Sequence, residues 1–366
     1  MQIQSLIIAG FCISALMLPL ATSAQEAAPV QIAFVGVAHI HTPDFVNRAK
    51  RRQDVKVKCV WDADPALAKH YADILGVPVV ADVNQIWSDP QIKAVIICSQ
   101  TNQHLDLVSA AARAHKHIYA EKPLGMGAAD SYAMARQIRD AGVYFQTGYF
   151  MRGEPAVRFL KEQVAKGNFG KITRIRGVNT HSGALGGWFD KEYRWMADPK
   201  ESGIGGFGDL GTHSLDLMLW IMNEPVTRVT AAVSNGTARY AGCDELGEGI
   251  LLFKGGTIGT LAASWDDETT DPVSLEIAGT EGHAAIINGR LYFQSKKVPG
   301  SNGRQAWTQL PEAQPHAFEL FLDALTGKKV ALVDPMEAAY RCAVVEALYS
   351  GAHEMKWVDV QQPPAR

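Results

Sequence analysis

Cysteine is scarce in this chain, with five in 366 residues. That density excludes a disulfide-scaffolded domain, and no Cys-x-x-Cys pair offers a metal-binding spacing. A surplus of one charge sign is also missing. Lys and Arg total 35 against 38 Asp and Glu, a formal charge of −3. No basic block appears of the kind that binds nucleic acid. Glycine, at 33, and proline, at 17, are too few for a fibrous or disordered chain. What is present is 47% hydrophobic and 20% charged residues, a globular composition with length for about two domains.

One further absence lies at the front, where no Lys or Arg precedes Arg48. Residues 3–20 are almost wholly apolar, and Ala21-Thr22-Ser23-Ala24 offers the small residues of a signal-peptidase site. Residues 1–24 are therefore expected to be an export signal, although its basic n-region is lacking. Export implies a periplasmic protein with no stable membrane insertion after cleavage. The alternative is an anchor formed by residues 3–20. Cys59 and Cys98 sit in apolar runs, where a free thiol behaves as a small buried hydrophobe. No disulfide is expected.

From residue 31 the pattern alternates between strand and helix. Strands are expected at 31–36, 55–61, 94–98, 117–120 and 143–147, and helices at 65–75, 103–114 and 128–141. Asp64-Pro65 supplies an N-cap and a first-turn proline. Gly76 and Gly142 stop their helices. This alternation predicts an α/β fold with a doubly wound parallel sheet, which binds ligands beyond the carboxyl ends of its strands. The residues at those ends are the candidate cofactor contacts: Gly36, Ala38, His39, Ile40, Asp62, Ser99, Thr101, Asn102, His104, Glu121 and Lys122. Asp62 suits a ribose hydroxyl and would repel a 2′-phosphate, which favours NAD over NADP.

The G-x-G-x-x-G fingerprint is incomplete. Gly36 is present, but Ala38 and His41 hold the other two glycine positions. His41 removes the glycine that permits close helix–strand packing. The His39-x-His41 pair has no third ligand nearby in sequence, so no metal is expected.

Two motifs then carry a resemblance. Ala120-Glu121-Lys122-Pro123-Leu124-Gly125 and Val95-Ile-Ile-Cys-Ser-Gln-Thr-Asn-Gln-His104 come first. A second block runs Ser202-Gly-Ile-Gly-Gly-Phe-Gly-Asp-Leu-Gly-Thr-His213-Ser-Leu-Asp216. The chain resembles the Gfo/Idh/MocA oxidoreductases over about residues 30–360. It departs from their pattern at Gln100, where they usually carry Pro, and at Phe150, where many carry Asn near the cofactor. The resemblance implies a Rossmann domain over 30–150 and a second α/β domain over 151–360. The latter would have an open, mostly antiparallel sheet that serves in a homo-oligomer, a dimer or tetramer. Apolar runs at 226–234, 249–254, 257–265, 273–278 and 284–288 fit such strands, with a turn at Lys254-Gly255-Gly256-Thr257.

Oxidising a secondary alcohol needs a base for its proton and an acceptor for its hydride. Asp209 and His213 are spaced i, i+4, which puts both on one helix face. Leu215, Met218, Leu219 and Met222 mark the core-facing stripe. The catalytic candidates are His213 as base, Asp209 as its orienting partner and Lys122 as the anchor for the substrate oxygen. Arg152, His181, Arg194 and Trp195 are the substrate-pocket candidates, with Trp188 and Tyr193 beside them.

The expected function is an NAD-dependent oxidoreductase acting on a secondary hydroxyl of a sugar, glycoside or polyol. Free NAD is scarce outside the cytoplasm, so an exported enzyme would keep its cofactor tightly bound. A retained cofactor also suits a redox-neutral glycosidase or lyase that oxidises, eliminates and reduces back. A non-catalytic sugar-binding protein is the third reading, and the Lys122, Asp209, His213 trio argues against it.

Overall fold

The computed structural model describes residues 28–364. The expected signal at 1–24 and Cys12 lie outside the described residues. The four described cysteines are free and buried.

The first half is a parallel five-stranded sheet in the order β2-β1-β3-β4-β5. Its strands are β1 (Val30–Val35), β2 (Val55–Trp61), β3 (Ile92–Ile97), β4 (His117–Ala120) and β5 (Phe145–Thr147). The helices between them are α1 (Thr42–Arg51), α2 (Pro65–Leu75), α3 (Asn84–Ser88), α4 (His104–Arg113) and α5 (Ala128–Ala141). Strand residues alternate between two apolar layers, as a sheet covered on both faces requires. Ile32, Phe34, Ala94 and Ile96 join the cluster that contains Phe45 and Tyr71, from α1 and α2. Ala33, Val35, Val95 and Ile97 join Leu107, Ala111 and Ile138, from α4 and α5. The local signals act as expected on α2: the Asp64 side chain accepts from the Ala66 N–H at 2.8 Å, and Gly76 closes the helix in the left-handed region.

The second half continues through α6 (Pro155–Ala165), β6 (Ile172–Thr180), α7 (Pro199–Ser202) and α8 (Gly206–Met222). Next come β7 (Val226–Ser234), β8 (Leu246–Phe253), β9 (Ile258–Ser264), β10 (Val273–Gly279), β11 (Gly282–Ile287), β12 (Arg290–Ser295) and β13 (Asn302–Ala306). The chain ends with α9 (Ala317–Leu325), α10 (Pro335–Glu354) and β14 (Val358–Asp359). The nine strands order as β13-β12-β11-β10-β6-β9-β8-β7-β14. All pairs are antiparallel except β6 with β9. Helix α8 lies on β6 and β9. The close approach depends on Gly177, where a Cβ would meet Met218 Sδ at 2.9 Å.

The sequence division into 30–150 and 151–360 misses one return. Phe318, Phe321 and Leu322 of α9 pack with Phe34 and Tyr119 in the first sheet's core. A segment from late in the chain therefore completes the Rossmann layer. Among the described residues, no helix is long and apolar enough to cross a membrane.

Candidate active site

The carboxyl end of β4 turns into Glu121-Lys122-Pro123, opposite the first turn of α8. Lys122 is 3% exposed and donates from Nζ to Asp209 Oδ1 at 2.6 Å. The second oxygen of Asp209 accepts from Trp265 Nε1 at 3.0 Å. Trp265 follows β9, is fully buried, and lies against Phe189 with centroids 4.1 Å apart. Burial alone would raise the Asp209 carboxyl. The Lys122 ammonium and the two hydrogen bonds outweigh burial and hold it well below the usual carboxylate range.

This geometry corrects one expected role. Asp209 makes no hydrogen bond to His213; its two oxygens accept from Lys122 and Trp265 instead. His213 sits one turn further along α8, and its Nδ1 is buried without a protein partner. Burial, and then the charge on Lys122, push its pKa down to about 3, so the ring is neutral at ordinary pH. Asp209 is thus the positioning group for Lys122.

Lys122, Asp209 and His213 open onto a cavity of about 380 Å³ that Phe150, Met151, His181 and Trp188 also line. Phe150 stacks on His316, with centroids 5.1 Å apart and planes 18° apart. His181 accepts the Gly183 N–H on Nδ1 at 2.9 Å and faces Trp188 with centroids 4.8 Å apart. Of the four substrate candidates, His181 alone lines this cavity. Arg152 is held by Asp216, at 2.7 and 2.5 Å, and by Glu337, at 2.9 Å. The buried Asp216 and the partly exposed Glu337 claim its guanidinium, and it does not line the cavity. Arg194 is exposed and lies over the Tyr240 ring. Trp195 donates from Nε1 to Ala38 O at 3.1 Å and so covers the nucleotide loop instead of the sugar side. Met151, Phe189 and Trp265 carry no sequence signal of their own, since each reads as an ordinary apolar residue.

The nucleotide loop fits a dinucleotide. Gly36 has φ +79°, and a Cβ there would stand 2.5 Å from Ser99 Cβ, so only glycine is tolerated at this crossing. Asp62 directly follows β2, and its oxygens accept the Val37 and Asp64 N–H groups. Each oxygen keeps a lone pair for a ribose hydroxyl. Ser99 and Thr101 lie at the end of β3, and Ile40 and His41 form the wall shared with the cavity. Two candidates have other duties. His104 is 1% exposed and bonds Leu124 O at 3.1 Å, which ties α4 to the Glu-Lys-Pro turn. Asn102 donates to Lys200 O at 3.4 Å, on the segment that bears Trp195.

The fold brings a third group to the His39-x-His41 pair. Glu121, fully buried, lies 3.8 Å from His39 Nε2 and 3.5 Å from His41 Nδ1. Burial would raise its carboxyl, but His39, His41 and Lys122 together hold it below the usual range.

Comparison with known proteins agrees with the two-part fold. Residues 30–149 match the oxidoreductase-family domain described as an NAD-binding Rossmann fold, and residues 157–285 match the GFO/IDH/MocA C-terminal domain. The chain belongs to the Gfo/Idh/MocA family of oxidoreductases, and its cofactor is NAD. It is 26% identical over 296 residues to scyllo-inositol 2-dehydrogenase (NAD(+)) of Bacillus subtilis, covering 80% of this chain and 83% of that one. It is 29% identical over 267 residues to myo-inositol 2-dehydrogenase of Thermotoga maritima, covering 71% and 76%. A structure of levoglucosan dehydrogenase with NADH and levoglucosan superposes with a TM-score of 0.75 at 21% identity. It covers 91% of this chain and all of that one, and at this identity it shows the shared fold.

Proposed function

We propose that this chain is an NAD-dependent dehydrogenase that oxidises a secondary hydroxyl of an uncharged sugar or cyclic polyol. The observation that carries this reading is the Lys122–Asp209–Trp265 chain facing His213 across one cavity. Lys122, fixed by Asp209, holds the substrate oxygen and stabilises the negative charge that develops on it. His213, kept neutral by burial, accepts the hydroxyl proton. When bound, NAD takes the hydride from the same carbon. Phe150 and Trp188 offer flat apolar faces to the C–H side of a ring. Among the described residues Lys122 is the only Lys or Arg lining the cavity and it is paired with Asp209, so the lining offers no unpaired basic side chain to a phosphate or carboxylate. Relatives named as inositol dehydrogenases act on substrates of this neutral, polyhydroxylated kind.

The reading extends to cofactor retention. Trp195 lies across the loop where the dinucleotide would run, and Ala38, His39 and Thr101 beneath it are nearly inaccessible. A cofactor trapped there would leave slowly, which suits an exported enzyme and a redox-neutral cycle on glycosides. Export itself rests on the apolar residues 3–20. A dimer or tetramer through the open sheet face is proposed from exposed Ile250 and Ile258.

The test is mass spectrometry of the desalted protein for NAD, followed by a panel of neutral and phosphorylated sugars and polyols. NAD reduction by neutral members alone is the expected result. Absence of NAD binding at any concentration would overturn the reading, and turnover confined to phosphorylated members would overturn the substrate class.

A further inference from the structure

Helix α8 starts without a side chain of its own to cap it. Its N-cap residue is Gly205, and Gly206, Phe207 and Gly208 form the first turn. The N–H groups of these four residues precede the first intrahelical bond, which the Asp209 N–H makes to Gly205 O at 2.9 Å. All four find partners, and only two residues from elsewhere in the chain supply them. Tyr349, on α10, accepts the Gly205 and Gly208 N–H groups on its hydroxyl, both at 3.0 Å. Asp244, just before β8, accepts the Phe207 N–H on Oδ2 at 2.9 Å and the Gly206 N–H on its backbone oxygen at 2.8 Å. The Tyr349 hydroxyl donates its proton to Asp244 Oδ2 at 3.1 Å, which fills its hydrogen-bonding capacity.

The geometry points to Tyr349 and Asp244 as positioning residues: they hold the first turn of α8 in place and so set where Asp209 presents its carboxylate to Lys122. The inference rests on the dehydrogenase reading, in which Lys122 holds the substrate oxygen. Asp209 is the residue directly after the capped turn, and its Oδ1 meets Lys122 Nζ at 2.6 Å. The segment that caps α8 also fastens Trp265, whose backbone N–H donates to Glu245 O at 2.8 Å. Asp209 is therefore fixed from one place twice, through its helix turn and through the indole on its second oxygen. The glycines of the 202–216 block gain a reason as well. A Cβ on Gly205 would overlap the Asp244 side chain, and one on Gly208 would stand 3.0 Å from the Tyr349 hydroxyl. Capping side chains on the helix itself are given up so that distant ones can reach its backbone.

Neither Tyr349 nor Asp244 lines the substrate cavity, so they act on the reaction through Asp209 and not by touching substrate. Tyr349→Phe removes one oxygen atom and leaves two helix N–H groups without their acceptor. Small displacements of a positioned group cost rate steeply, which is why this cap matters to turnover and not only to folding. Tyr340, on the same helix, supplies the comparison. Its hydroxyl bonds the Val226 backbone N–H and oxygen, each at 2.9 Å, instead of α8.

The test uses the full chain with NAD and the neutral sugar or polyol that supports the fastest NAD reduction in the panel. Tyr349→Phe should lower kcat by about ten- to hundredfold, with KM for that substrate within about twofold. Tyr340→Phe should lower the melting temperature too but leave kcat within about twofold. Asp244→Ala should lower kcat by about tenfold or more, whereas Asp244→Asn, which keeps an acceptor oxygen for Phe207 and Tyr349, should stay within about threefold of wild type. Hydrogen exchange at the Gly205 and Gly208 amides should quicken by about tenfold or more in Tyr349→Phe and stay unchanged in Tyr340→Phe. Equal effects of Tyr349→Phe and Tyr340→Phe on kcat would overturn the positioning role, as would a loss in Asp244→Asn as large as that in Asp244→Ala. Unchanged exchange at Gly205 and Gly208 would overturn the cap itself. The exchange readout does not depend on turnover, so failure of the cap and failure of the dehydrogenase reading are distinguishable.

Discussion

Lys122 and Asp209 meet at 2.6 Å although one ends a Rossmann strand and the other begins a helix of the second half. The ion pair is buried on both sides and is completed by the Trp265 indole. Removing one partner leaves the other as an uncompensated charge, at a cost of about 3–5 kcal/mol. Asp209→Asn is therefore expected to lower kcat by about two to three orders of magnitude, because Lys122 loses its fixed position. It should also lower the melting temperature. Trp265→Phe keeps the ring and removes only one hydrogen bond, so its effect on kcat should be near tenfold. Equal losses in the two variants, measured by steady-state kinetics and checked by circular dichroism, would show that Asp209 does not act through Lys122.

Trp195 covers the nucleotide loop through a single indole hydrogen bond to Ala38 O and a ring contact with His39, centroids 5.9 Å apart. Its segment is tied on by Asn102 and followed by Gly203 in the left-handed region. Trp195→Ala should speed NAD dissociation by about tenfold or more, the equivalent of 1.4 kcal/mol in the barrier. The melting temperature without NAD should change little. Stopped-flow displacement of bound NADH reads this directly, and an unchanged off-rate would remove Trp195 from cofactor retention.

The parts of this fold legible in the sequence are those fixed by local rules. Asp64-Pro65 and Gly76 bounded α2, and the i, i+4 spacing of Asp209 and His213 placed both on the pocket face of α8. Partnerships across the chain were not legible. Nothing within a few residues of Asp209 tells that its oxygens face Lys122 and Trp265 instead of His213. Arg152 looked like a sugar ligand because its partners Asp216 and Glu337 are far away in sequence. β6 is not legible because Arg174 and Arg176, on its solvated face, and Asn179, on the face toward α8, interrupt its apolar run. The third group beside His39 and His41 was missed for the same reason: Glu121 becomes their neighbour only when β1 and β4 lie in one sheet.

Arg152 offers a separation of stability from chemistry. Its guanidinium and that of Arg341 converge on Asp216, which is 1% exposed. Arg152→Met removes one cation of this cluster but leaves Arg341 in place. A loss of about 1–3 kcal/mol is expected, read by urea denaturation. KM for the sugar should stay within about twofold, since Arg152 does not line the substrate cavity. A large rise in KM with unchanged stability would restore Arg152 to the substrate site.

Acid should destabilise the protein in two stages, and the signs follow from which groups are depressed. His213, with a pKa of about 3, and His316, with a pKa of about 4, are lowered chiefly by burial. Above about pH 6.5 both states carry neutral imidazole, and the two residues contribute no pH dependence. As the pH falls below 6.5 the unfolded chain takes up these protons and the folded chain does not. Stability therefore declines from about pH 6.5 towards 4. Asp209 and Asp216 are also lowered, by their Lys and Arg partners overcoming burial. Their contribution is complete above the unfolded carboxyl value near 3.9 and is lost only as the pH falls below it. Urea midpoints measured at pH 7.5, 6, 5 and 4 should fall steadily over the first stage. His316→Asn should reduce the slope of that stage, leaving the His213 contribution and the carboxylate stage intact. Its Nδ1 caps α9 by accepting from the Phe318 N–H at 3.2 Å, and Asn preserves that cap. A profile flat between pH 7.5 and 5 would show that neither histidine is held neutral in the folded protein.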